Sequence, residues 1–302
     1  MLALAFLLGV AGAPSGGCRR QRALTKPAAA VEAAVRPANM AAAFPRLGRA
    51  HFRGFVRFEA APEGAKGEAV TTETDIWMDD SGNWRLVEMN DKDGGREIVR
   101  YGRELAVALR YGKMIRRPAE DPEPQRLLEE GVGGPFAAWD LLRDVSTVDD
   151  FGDETRGGRK VHVYKVTKSR KLAEVPSNVD FSDRRAWRRT LVPGTIEGTI
   201  VIDEGTGLPL QAELRARYTM RRAPVSGSTG AGGKAAAAGD TTASIPMWGA
   251  LEVKASFEEI GASPPIARPE AEDLPLRQRT VPEEKALLGG LPRSAPPPRG
   301  AP

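Results

Sequence analysis

The segment "LPLQAELRARYTM" constrains the fold of this chain more than any other. Leu210, Ala212, Leu214, Ala216, Tyr218 and Met220 alternate without a miss with Gln211, Glu213, Arg215, Arg217 and Thr219. Successive strand residues point to opposite faces, so this run predicts a strand buried on one side and wet on the other. Three more segments repeat the pattern. "HFRGFVRFEA" puts Phe52, Gly54, Val56 and Phe58 on one face, with Phe55 as an exception on the polar side. "TIEGTIVID" aligns Ile196, Gly198, Ile200 and Ile202, and "ALEVKASFEEI" aligns Leu251, Val253, Ala255 and Phe257. Alternation this clean belongs to antiparallel sheet.

Between these runs lie shorter strands divided by turn chemistry. "TTETDIWM" ends at Asp79-Asp80-Ser81-Gly82-Asn83, and "WRLVEM" ends at "NDKDGG"; "EIVRY", "ELAVALRY" and "KMIRR" then follow as a meander. "KVHVYKVTK" is a further strand, and Asp203-Glu204-Gly205-Thr206-Gly207 closes a hairpin. One helix interrupts them. "GGPFAAWDLLRDV" has Pro135 near its first turn and carries Phe136, Trp139, Leu142 and Val145 near one face; "PEPQRLLEEG" before it adds a turn or two. The expected fold is mainly β (α+β): a single highly curved antiparallel sheet forming an incomplete β-barrel, with a helical plug on its concave face.

The flanks differ in composition. "MLALAFLLGV" is about half the length that crosses a bilayer and fits the apolar region of a signal peptide. We expect residues 1–17 to be a lipoprotein-type signal and 18–45 a flexible Ala/Arg/Pro tether, in which the Ala-rich run is short-helix material that Pro37 interrupts. The half-barrel domain spans 46–260 and contains a mobile low-complexity loop at 222–246. Residues 261–302, rich in proline, are expected to be disordered.

Composition excludes more than it assigns. A net charge of +4, from 44 basic and 40 acidic residues, lacks the clustered stripe of a nucleic-acid binder. A single cysteine excludes an internal disulfide and any CxxC site. "STGAGGKA" imitates a phosphate loop, but Ser228 replaces its first glycine, Ala235 follows Lys234, and the strand-to-helix context is missing. "NDKDGG" echoes a calcium loop without its distal acidic ligands. His51 and His162 sit inside alternating strands with no partner at a recognisable spacing, so both are expected to be satisfied or surface histidines. No catalytic residue, metal site or cofactor is expected, and the chain is not expected to be an enzyme. The basic cluster "DRRAWRRT" at 183–190 reads as an exposed loop; the alternative is an anionic-headgroup contact with Trp187 at the interface.

Two processing sites compete at the N-terminus. Ser15-Gly16-Gly17-Cys18 presents small residues before a cysteine, although Ser15 stands where such signals usually carry leucine. Ala11-Gly12-Ala13 is an A-x-A site whose use would put Pro14 first and leave an unpaired thiol in an oxidising compartment. Acylation of Cys18 explains the lone cysteine better.

The signal, the "FRGFVRF" strand, the chain of short strands, the helical plug and "GTIVIDEGTGLPLQAELRARY" together resemble the LolA/LolB/LppX-like group of bacterial lipoprotein carriers and lipid-binding envelope proteins. The turn Thr206-Gly207-Leu208-Pro209 between two amphipathic strands is the most specific piece, and the likeness spans about 46–260. The resemblance implies a non-catalytic half-barrel whose apolar interior accepts the acyl chains of a lipid or lipoprotein. Candidate lining residues are Phe52, Val56, Phe58, Trp77, Trp84, Leu86, Phe136, Trp139, Leu142, Ile200, Ile202, Leu214, Tyr218, Val253 and Phe257. Each is equally readable as ordinary core. The implied location is the periplasmic face of a membrane, outer rather than inner, through the lipid anchor at Cys18; the alternative is a soluble periplasmic protein. A different class of function uses the same sheet as a scaffold for an envelope protein partner.

Overall fold

A computed structural model describes residues 26–170, 191–222 and 245–273. Cys18 and its processing sites, the arginine cluster at 183–190 and nearly all of the 222–246 loop lie outside the described residues.

Two meanders make one sheet. β1 (Ala50–Pro62), β2 (Glu68–Met78), β3 (Trp84–Asn90), β4 (Gly95–Tyr101), β5 (Glu104–Leu109) and β6 (Ile115–Pro118) run outward in order. β7 (Ser146–Arg156), β8 (Arg159–Lys168), β9 (Val192–Asp203), β10 (Pro209–Arg222) and β11 (Ile245–Glu258) return toward them, and β1 pairs antiparallel with β11 to join the halves. The pairing Phe52↔Phe257, Gly54↔Ala255 and Val56↔Val253 places apolar residues opposite apolar ones across this seam. That register follows from the alternation, because a one-residue slip would turn every core residue to water. β12 (Glu272–Asp273) adds to β6 in parallel, the one departure from the antiparallel sheet expected. β7 and β12 stand at opposite ends of the strand order and do not pair, so the sheet is open, an incomplete barrel.

Helices cover one face. α1 (Pro27–Ala34) and α2 (Pro37–Ala43) each start on a proline, which needs no amide partner at that position. Val31, Met40 and Phe44 are fully buried. The segment expected to be a flexible tether is therefore core structure from Pro27 onward. α3 (Glu123–Gly133) is the longest helix among the described residues, with Leu127, Leu128 and Val132 buried. After Gly134 the chain breaks into a 3-10 turn at Pro135–Ala138, a single turn α4 (Trp139–Leu142) and a second 3-10 turn at Arg143–Val145. The continuous helix thus precedes Pro135 instead of starting there. Close packing explains the glycines in between: a Cβ on Gly131 would lie 2.3 Å from Leu86 Cδ1.

The tail differs from expectation over residues 261–273, while 274–302 lie outside the described residues. Residues 261–273 are placed along the outer face, where the Ile266 amide donates to Asp79 Oδ2 at 3.2 Å and Arg268 forks onto Glu104 at 3.0 and 2.7 Å. Arg116 donates to the Pro269 carbonyl at 3.0 Å. Among the described residues, no helix is long and apolar enough to cross a membrane.

Candidate functional site: the covered concave face

The concave face gathers most of the predicted lining. Phe52 of β1, Trp84 and Leu86 of β3, Ile200 and Ile202 of β9, Leu214 and Tyr218 of β10, and Val253 and Phe257 of β11 belong to one apolar cluster. Phe136, Trp139 and Leu142 reach it from the helical cover, and the half-buried Val56 and Phe58 pack against it. Phe257 joins Phe52 and Phe44 at ring separations of 5.0 Å.

Trp77 is the exception. It alternates out of phase with Ile76 and Met78, lies on the outer face, and stacks on His51 at 4.5 Å with Arg85 over its ring. Its position follows from the register, since Trp77 is paired with His51 and not with Phe52. His51 is satisfied there, with Nε2 2.8 Å from Asp75 Oδ1. The calcium-like "NDKDGG" is a hairpin turn in which Asn90 Oδ1 accepts from the amides of Lys92 and Gly94, as its sequence predicted.

Beneath the cover the face is filled with side chains. Gly54 admits this packing: a Cβ there would meet Pro135 Cγ at 2.4 Å, so the 3-10 turn rests directly on β1. Two polar atoms inside the cluster have no hydrogen-bond partner among the described residues, Tyr218 Oη and Trp139 Nε1. Burial pushes the Tyr218 hydroxyl pKa far above its usual value, which keeps it neutral.

An ionic cluster that the alternation did not reveal pins α3 to the sheet. Arg96 of β4, only 3% exposed, pairs with Glu88 of β3 at 3.0 Å and reaches Glu130 of α3 at 3.8 Å. Glu130 also accepts from Arg126 one helical turn earlier at 2.6 Å. Beside this cluster, a cleft of about 460 Å³ opens in the cover between the α1–α2 corner and α3. Its walls include Arg36, Arg126, Arg143, Glu32 and Glu130, and Val35, Phe136 and Trp139 supply apolar lining. That volume falls in the range of small-molecule pockets. A second hollow of about 350 Å³ lies on the polar outer face over Gly54, Ala212 and Ala255.

No sequence profile of a known family matches the chain, and no curated protein matches it. Among solved structures, similarity is found to the lipoprotein LppX of Mycobacterium tuberculosis at 12% identity, covering 80% of this chain and 96% of that one, with a TM-score of 0.27. LprF of Mycobacterium bovis is similar at 12% identity, 79% and 97% coverage and a TM-score of 0.26. A LolA superfamily protein of Nitrosomonas europaea shows 11% identity, 80% and 96% coverage and a TM-score of 0.20. These are proteins of the LolA/LppX-like group that the sequence resembles, and at such identities and TM-scores the likeness carries no step of the functional argument.

Proposed function

We propose that the protein is an exported, non-catalytic envelope lipoprotein that binds the acyl chains of a lipid or lipoprotein and is anchored through Cys18 at the periplasmic face of the outer membrane. The observation that carries this reading is the cleft in the helical cover, where Phe136 and Trp139 join an amphipathic opening to the apolar cluster on the concave sheet. An acyl chain entering past Phe136 and Trp139 would leave every strand of the sheet paired. Each methylene that then moves from water into the cluster contributes about 0.8 kcal/mol. Small residues before a lone cysteine, behind an apolar run, support the anchor.

A second reading is favoured by a different observation: the concave face is already filled by its own side chains. In that case the sheet is a scaffold for an envelope protein partner. Two measurements separate them. Full-length protein taken from membranes should release lipid on organic extraction, and saturable binding of a fluorescent fatty acid should weaken at least tenfold in Trp139→Ala. Absence of both lipid and saturable binding would overturn the acyl-chain reading in favour of the scaffold. Palmitate incorporation lost in Cys18→Ala supports the anchor; incorporation that persists removes it.

A further inference from the structure

The rim of the concave face holds a cluster that the acyl-binding reading does not use. β7 and β8 are paired antiparallel, and between Asp150 and Gly152 the register shifts by one residue. Asp150 and Asp153 are three apart and would point to opposite faces of a regular strand. The bulge, with Gly152 at φ +93°, restores them to the same face, opposite Tyr164 and His162 respectively. His162 is thereby held between them: Nδ1 faces Asp153 Oδ1, and Nε2 lies 2.6 Å from Asp150 Oδ1. Glu204 arrives from the turn after β9, fixed by its amide to the Lys160 carbonyl at 3.0 Å. One ligating atom from each of Asp153, His162 and Glu204 lies within 4.8 Å of the other two.

Charge sharpens the picture. Asp150, Asp153 and Glu204 have no lysine or arginine partner among the described residues, although carboxylates nearby are paired, Glu154 with Arg156 and Asp203 with Arg159. Tyr164, whose ring leans on His162 at 4.7 Å, has its hydroxyl pKa raised by burial and then by Asp150 and Asp153. A carboxylate at each nitrogen suits a cationic centre there, either an imidazole protonated on both nitrogens or a neutral one with a metal ion at Nδ1.

We propose that His162 Nδ1, Asp153 and Glu204 bind a divalent transition-metal ion of the zinc class, with Asp150 fixing the imidazole from its other nitrogen. One imidazole and two carboxylates are a donor set for such an ion, whereas calcium takes oxygen ligands. Asp150 has the position usual for the outer partner of a metal-bound histidine, accepting the second N–H and setting the tautomer. Binding displaces any proton on Nδ1 to solvent and leaves Nε2–H on Asp150. The bound ion ties the edge strand β7 to β8 and to the β9–β10 turn at the mouth of the sheet.

Calorimetric titration of metal-free, full-length protein with zinc chloride tests this. One saturable site per chain is expected, lost in His162→Ala and in Glu204→Gln, and weakened tenfold to a hundredfold in Asp150→Asn. Cys18→Ser should bind as the unaltered chain does. Thermal unfolding without metal checks that each variant is folded; Glu204 is an exposed turn residue, so its variant decides if His162→Ala is not. No saturable binding, or binding that survives Glu204→Gln and disappears in Cys18→Ser, overturns the site.

Discussion

At the scale of single residues, Asp203 explains why the Thr206-Gly207-Leu208-Pro209 turn is recognisable in sequence. Its carboxylate, nearly fully buried, accepts two bonds from Arg159 at 2.9 and 2.8 Å, one from the Thr206 amide at 2.8 Å and one from the Thr206 hydroxyl at 2.7 Å. Its amide donates to the Leu208 carbonyl, and Gly207, at φ +76°, supplies the left-handed residue that closes the turn. Burial pushes the Asp203 carboxyl pKa up, but the bonds from Arg159 and Thr206 outweigh it and hold the value below the ordinary carboxylate range. The folded state therefore binds this proton less readily than the unfolded chain. The associated stability is present above about pH 4 and is lost as pH falls through the depressed folded value. Asp203→Asn should lower stability by about 2 kcal/mol near neutrality, since it removes charge-assisted bonds and leaves Arg159 without its counter-ion. Urea midpoints should also show a smaller acid loss in the variant than in the parent between pH 5 and 3. An equal acid loss in both would remove Asp203 from the explanation.

At the scale of elements, Gly54 sets strand propensity against packing. Valine is the better strand residue, so propensity alone favours Gly54→Val. The contact with Pro135, 2.4 Å from a Cβ, opposes it, because the 3-10 turn must lift from β1 to make room. A loss of about 1–3 kcal/mol is expected, the usual cost of overpacking, measurable by chemical denaturation; a gain would mean that the cover is loosely seated. The strands were legible because alternation is a local signal: Phe52, Ile200, Leu214 and Val253 all lie on the face their pattern predicts. For Trp77, residue type alone points to the core, while its phase relative to Ile76 and Met78 places it outside. The helical cover was only half legible. "PEPQRLLEEG" carries the apolar spacing and the Arg126–Glu130 pair of a true helix, yet "GGPFAAWDLLRDV" offers more apolar residues. The contacts that let Gly131 sit on Leu86 and end α3 nearby are long-range, and no window along the chain contains them. The rim cluster was hidden for the same reason. Nothing near His162 in sequence names Asp153 or Glu204 as neighbours, and only the strand pairing and the bulge bring them together.

At the scale of the whole molecule, an open sheet has two edges, and each has its own protection. β7 presents Asp149, Asp150, Asp153 and Glu154, charges that discourage pairing with another chain. The other edge, the four-residue β6, is covered by the tail. The segment after β11 is tied to Arg49 through the Gly261 amide, buries Ser263, bonds to Asp79, forks onto Glu104 through Arg268, and ends as β12 beside β6. Val99 and Ala106 face outward at paired positions of β4 and β5, yet they are only 3% and 2% exposed, in the region this strap crosses. Proline-rich composition pointed to disorder because it carries no apolar period, but a strap needs only extended backbone and a few anchors. Ending the chain after Ile260 should therefore uncover these outward apolar residues together with the β6 edge. A loss of roughly 2 kcal/mol is expected, which lowers Tm by about 4–8 °C in a domain of this size and increases aggregation on heating. Ending it after Asp273 should leave Tm unchanged, because every anchor named is kept. If the two truncations melt together at the parental Tm, the strap does not hold the sheet; if only the shorter one falls, the edge of the half-barrel is closed by its own tail.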